Sequence, residues 1–159
     1  MRLKGIMLKG ENVEWNKPVL LNYKNLKAIV EAPENSEGFT AITRVRNRKL
    51  YIEPFKRENF KSNKLYVVAF THKYLQDYKN KKQSWYKEQY TNFMAEQPFE
   101  VIESIVAITI GGWWNEEERK YNVDLGAITT NRKVACYLIK RYKQLSGWDL
   151  IKMKAVKCR

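Results

Sequence analysis

The sequence predicts an α+β fold in a single domain, residues 1–159: an antiparallel or mixed sheet of about five to seven strands with two or three packed helices. Three observations carry that expectation. Residues 39–52 alternate around a polar turn, residues 64–70 and 99–110 are apolar runs, and residues 134–145 repeat apolar side chains at helical spacing. A chain of 159 residues, 44% hydrophobic with only 7 Gly and 4 Pro, has the size of one domain, a core's worth of apolar material and short connections.

In chain order, RLKGIMLK reads as a short strand closed by Gly10. The stretch from Lys17 to Glu34 has two readings. Val19, Tyr23, Leu26 and Val30 recur at helical spacing behind Pro18, whereas the IVEAP run also suits a strand entering the 33–38 loop. A helix or irregular segment followed by a strand is the expectation there. Phe39, Ala41, Thr43 and Val45 alternate with Thr40, Ile42, Arg44 and Arg46, a half-buried strand. It turns at Asn47 into a return arm over 49–52, with Pro54 marking an edge or a strand end. KLYVVAF, 64–70, predicts a central strand.

From His72 to Gln97 the pattern turns helical through Leu75, Tyr78, Trp85, Gln89 and Phe93. KNKK divides it, Ser84 caps its second part, and Pro98 ends it. Residues 99–110 predict a long strand through the sheet centre, paired antiparallel with 120–128 through TIGGWWNEEERKY. In that connection Gly111 and Gly112 permit the turn, and Trp113 and Trp114 point to opposite sides, one packed and one exposed. Thr129 or Thr130 then caps a helix whose stripe is Val134, Ala135, Leu138, Ile139, Tyr142 and Leu145, stopped by Gly147. Residues 149–157 alternate as a final basic edge strand.

Charge narrows the function classes. The net charge is +13, and it is clustered. Residues 131–159 hold nine Lys/Arg against Asp149 alone, residues 39–64 eight against Glu53 and Glu58, and residues 73–87 five against Asp77. Clustered basicity suits a polyanion or an acidic protein surface, or simply a solvated face. No apolar run reaches the roughly 20 residues of a membrane helix. The basic start lacks the apolar segment of a signal peptide, so a cytoplasmic setting is expected. Two cysteines without CxxC spacing argue against a disulfide framework or a zinc site. His72, the single histidine, leaves no basis for HExxH, and no nucleophile elbow or phosphate-binding glycine loop is present. No catalytic residue, metal or cofactor is expected.

One weak catalytic alternative is a metal-dependent nuclease. Glu118-Arg119-Lys120 matches half of an ExK site, and it needs Glu103 or Asp124 as its companion. A nucleic-acid binder is the stronger alternative. Its contacts would be Lys79, Lys81, Lys82, Arg132, Lys133, Lys140 and Lys143, with Tyr74, Tyr78, Trp85, Tyr86 and Tyr90 either stacking on bases or filling the core. The first reading is protein contact. Trp113 and Trp114 beside Glu116, Glu117 and Glu118 form an anchor that repels nucleic acid and suits a basic protein surface. Arg44, Arg46 and Arg48 form a second candidate contact, able to meet phosphate or carboxylate.

DLGAITTNRKVACYLIKRYKQ, with its strand–Gly–Thr–basic–Ala–helix rhythm, resembles the closing strand and helix of many small phage proteins. Size, lone-domain organisation and the Lys/Asn/Tyr bias resemble accessory proteins of phages and other bacterial mobile elements, above all the small anti-CRISPR proteins that dock on a Cas nuclease. The resemblance is one of whole-chain style and carries over no residue. It implies a non-enzymatic inhibitor acting by occlusion in the bacterial cytoplasm. The partner would be a nuclease or nucleoprotein complex, with nucleic acid as a possible further contact and no membrane.

Overall fold

The computed structural model describes residues 5–8 and 11–158. It is an α+β domain whose strands outnumber the expectation. Nine of them form one antiparallel open sheet, and a separate two-stranded ribbon pairs β1 (Gly5–Leu8) with β2 (Glu11–Glu14). The expected first strand is thus present at its centre, while Gly10 lies outside the described residues.

The main sheet comprises β3 (Val19–Leu20), β4 (Gly38–Arg46), β5 (Lys49–Pro54), β6 (Tyr66–Ala69), β7 (Lys73–Tyr74), β8 (Ile105–Asn115), β9 (Lys120–Thr129), β10 (Gly147–Asp149) and β11 (Lys154–Val156). The spatial order is β11-β10-β6-β9-β8-β4-β5-β3, with β7 also on β9 beyond the end of β6. The β4–β5 hairpin follows its alternation, and Asn47 and Arg48 both take positive φ to close a two-residue turn. The run at 64–70 becomes the interior strand β6.

Helices α1 (Tyr23–Glu31), α2 (Gln83–Ala95) and α4 (Arg132–Arg141) cover one face. Leu26, Ile29, Tyr86 and Tyr90 pack there on Ile52, Ile110, Val123 and Leu125. Val134, Ala135, Leu138 and Ile139 pack alongside on Tyr66, Val68 and Ala127. The other face carries a smaller cluster at one end, where Phe55, Phe60 and Leu150 lie on Ile42, Leu65 and Ile128.

Several local expectations give way. The IVEAP strand is not formed: the Asn22 side chain accepts from the Asn25 amide at 2.8 Å, α1 starts, and it runs on through Ile29 and Val30 until Ala32-Pro33 stops it. Lys73 and Tyr74 are strand rather than helix, and Ser84 lies inside α2 instead of capping it. The long strand at 99–110 is split. Phe99–Ser104 forms α3 behind Pro98, because helical spacing buries Val101 while leaving Phe99 and Ile102 outside. Asn131, not a threonine, caps α4, accepting from the Lys133 and Val134 amides at 2.9 and 3.3 Å. Leu145 drops out of the α4 stripe and is fully exposed. Lys143, at φ 52°, makes the left-handed exit expected of Gly147, which lies in β10. The final edge strand is a short β10–β11 hairpin. Cys136 and Cys158 are joined in a disulfide that ties the C-terminal segment to α4, where the sequence argued against a disulfide framework.

Candidate functional site

The connection TIGGWWNEEERKY is mostly strand. Ten cross-strand pairs join β8 to β9 and continue to Asn115↔Lys120, so the turn is only Glu116–Arg119. Gly111 and Gly112 therefore do not make the turn. Gly112 exists for packing: a Cβ there would stand 2.5 Å from the Tyr121 ring and 2.8 Å from the Phe39 ring. Pairing of β4 with β8 ends at Gly38↔Trp113, so the tip of the β8–β9 hairpin projects past its neighbour strand.

Period-2 alternation sends Trp113 and Trp114 to opposite faces, as expected. Neither is packed away: they are 40% and 38% exposed. Trp114, on the helix-bearing face, donates its indole N–H to Glu116 Oε2 at 2.6 Å. Glu118 is held on both oxygens, by the Tyr74 hydroxyl and by Asn115 Nδ2 at 2.8 Å, while Asn115 Oδ1 accepts from the Glu118 amide at 3.1 Å. That bond to Glu118 raises the Tyr74 pKa. Lys120 Nζ lies 4.6 Å above the Tyr74 ring. The tip is thus a cross-braced turn, with Glu116, Glu117 and Glu118 exposed on it.

Trp113 lies on the open face. Across the strands it meets Gly38 and Asn122, and Gly111 and Asp124 form the next pair on that face. Asn122 is fully buried between the aromatic neighbours Trp113 and Tyr74, and neither its side-chain Oδ1 nor its Nδ2 has a hydrogen-bond partner among the described residues. Asp124 Oδ1 is likewise buried without one, and His72 Nδ1 stands 4.0 Å away. Burial pushes the Asp124 pKa up to about 6, against the opposing pull of His72, the Trp113 indole and the Lys73 amide. Orphaned buried polar groups are rare, and two of them two residues apart on one strand mark a place where the fold leaves bonding capacity unused.

The other candidate residues are elsewhere. Arg44, Arg46 and Arg48 are exposed at the β4–β5 tip, with Arg44 paired to Glu53 and the Arg48 carbonyl taken by Lys87. From the Gly38↔Trp113 pair to Arg46 is eight residues of strand, roughly 27 Å at about 3.4 Å per residue. The two expected contact sets therefore stand at opposite ends of the sheet. Glu103 is also far from Glu118, since β8 runs its whole length between them, and this removes the Glu103 version of the nuclease constellation. Among the described residues no group of three His, Cys, Asp or Glu is placed to hold a metal.

Of the nucleic-acid candidates, Lys79, Lys82, Arg132, Lys133, Lys140 and Lys143 are exposed, while Lys81 is half-buried with its Nζ 4.8 Å above Trp85. Arg132 and Lys133 share a groove of about 690 Å³ with Glu100 and Glu103, so its charge is mixed. Tyr78, Tyr86 and Tyr90 are core, and Tyr90 donates to the Thr109 carbonyl at 2.5 Å. They offer no rings to bases. Asn122 escaped the sequence reading, although the polar Asn122 and Asp124 in the otherwise apolar YNVDLGAI were a visible signal.

No family model matches the chain, and no curated protein or solved structure matches it either.

Proposed function

We propose that the protein is a non-enzymatic inhibitor that docks on a host nucleic-acid-processing enzyme and occludes it, with a Cas nuclease as the favoured target. One observation carries this reading: the projecting, cross-braced end of the β8–β9 hairpin presents two part-exposed tryptophans and three exposed glutamates on an otherwise basic chain. Tryptophans on a rigid support lose little conformational freedom on docking and rank among the residues that dominate binding energies. A nuclease surface shaped for phosphates is basic, which complements the glutamates and repels the remainder of the chain, fixing orientation. The site works as a surface and calls for no cofactor. In the bacterial cytoplasm proposed for it, Cys136 and Cys158 would stand reduced.

The test is a cleavage assay with a panel of purified Cas nucleases. Stoichiometric inhibition by the wild type, lost in a Trp113→Ala/Trp114→Ala variant that retains its fold, is the expected result. No inhibition by the wild type, or full inhibition by the variant, overturns the reading.

The Arg44–Arg48 tip and the exposed lysines of α4 favour a second reading, direct binding of DNA or RNA. Gel shifts at two salt concentrations separate the two. Tight binding to naked nucleic acid that weakens steeply with salt, and is lost on replacing Arg46 and Arg48, supports the second.

A further inference from the structure

We propose that the end of the β4–β5 hairpin is an arm that enters the major groove of double-stranded DNA. This rests on the second reading above, direct contact with nucleic acid, and names the class of nucleic acid.

The arm begins where β4 parts from β8. Their pairing stops at Thr43↔Ile108, close to the register shift between Ile105 and Ala107, whereas β4 stays paired with β5 to Arg46↔Lys49. A cleft of about 490 Å³ opens at the parting, lined by Arg44 and Val45 on one side and Val106 and Ala107 on the other. Residues 44 to 49, RVRNRK, are exposed throughout. The arm is held stiffly from behind. Gln83 of α2 accepts from the Leu50 amide at 2.7 Å and donates to the Leu50 carbonyl at 3.1 Å, and Lys87 donates to the Arg48 carbonyl. Asn47 and Arg48, both at positive φ, close the two-residue turn.

The arm's chemistry is cationic. Arg44 is paired with Glu53, but among the described residues the charged groups of Arg46, Arg48 and Lys49 have no ion-pair partner. Asn59 and Phe60 also line the cleft, and the loop that carries them exposes Lys56, Arg57, Lys61 and Lys64 against Glu58 alone. A stiff cationic ribbon flanked by further cations has the layout of a reader that enters a groove while its shoulders meet phosphates. The glutamates of the β8–β9 tip occupy the opposite end of the sheet, so repulsion turns that end away from a polyanion and brings the arm forward.

Three nucleic-acid forms are separated by shape. The B-form major groove admits a two-stranded ribbon and is about 8.5 Å deep. From Thr43 to Arg46 the ribbon spans three residues, roughly 10 Å of strand, which matches that depth. The major groove of duplex RNA is too narrow for side chains to read. A single strand is held by stacking its bases on open rings. RVRNRK contains no aromatic residue, and the nearby Phe55 and Phe60 rings are stacked on each other.

The experiment measures fluorescence anisotropy of the full chain with a labelled DNA duplex, its single strand and the RNA duplex of the same sequence, over a range of salt. The expected result is at least about tenfold tighter binding to duplex DNA than to either other form. A duplex whose cytosines carry glucosyloxymethyl groups at C5, which fill the major groove without changing the charge, binds about tenfold more weakly or worse. Arg46→Gln/Arg48→Gln weakens duplex binding by about tenfold and lowers the salt slope by about two. Lys133→Gln/Lys140→Gln, which removes the same charge from α4, costs clearly less. Equal or tighter binding to the single strand or the RNA duplex overturns the proposal and leaves the nucleic-acid reading standing. Undiminished binding to the glucosylated duplex, or equal losses from the two double variants, does the same. No binding to any of the three forms overturns both.

Discussion

Asp124→Asn at neutral pH should stabilise this protein, and the size of the effect follows from its surroundings. In the unfolded chain the carboxyl titrates near its ordinary value of 3.8; in the fold, burial pushes it up to about 6. The fold therefore holds a proton that the unfolded chain has released between those values, so stability falls as pH rises through that window. At 1.36 kcal/mol for each tenfold change in proton affinity, the ionised carboxylate costs the fold at most about 3 kcal/mol above pH 7. Asparagine keeps the shape, can still accept from the Trp113 indole and the Lys73 amide, and carries no charge to desolvate. The variant should therefore be more stable than wild type by about 1–3 kcal/mol at pH 7.5, and the gap should shrink to about 0.5 kcal/mol at pH 4, just above the unfolded value of 3.8. Urea denaturation of both proteins at pH 4, 5, 6 and 7.5 measures this. Subtracting one curve from the other cancels the ionisable groups common to both that do not interact with residue 124. The midpoint should move without a change of slope. Parallel stability profiles, or a variant weaker than wild type at pH 7.5, would refute the reasoning.

Two further outcomes follow from packing and covalent restraint. Gly112→Ala places a methyl within 2.5–2.8 Å of the Tyr121 and Phe39 rings and the Asn122 carbonyl, so it should lower stability by about 1–3 kcal/mol in chemical denaturation and weaken target inhibition. Reducing the Cys136–Cys158 bridge, which closes a sequence separation of 22, should cost about 3 kcal/mol, and hydrogen exchange should show the loss concentrated in β11 and the residues after it. A Cys136→Ser/Cys158→Ser variant should match the reduced protein, insensitive to added reductant.

Much of the local structure was legible because it depends on neighbours in sequence. The β4–β5 hairpin follows from alternation around Asn47-Arg48, α4 from its four-residue apolar repeat, and the opposed directions of Trp113 and Trp114 from the period of a strand. The expectation of two or three helices fell short of the four that form among the described residues, α3 being the one read as strand. Phe99–Ser104 misled because FEVIES satisfies both periods, and only the contact that takes Val101 inside decides between them.

The candidate site depended on pairing between distant segments. That Gly111 faces Asp124, that Asn122 lies between Trp113 and Tyr74, and that the arginine tip and the acidic tip occupy opposite ends are all consequences of strand register. Two segments far apart in sequence choose their register by burying apolar area over their whole length, and a shift of one residue would turn every side chain to the other face. The sequence by itself determined the β4–β5 hairpin, α4 and that the acidic, tryptophan-bearing hairpin differs from the basic remainder. The tertiary structure alone decided that both tryptophans stay open, that Cys136 meets Cys158, and that Asn122 and one oxygen of Asp124 are buried on the same strand face without hydrogen-bond partners among the described residues, because those facts depend on which strands come to lie side by side.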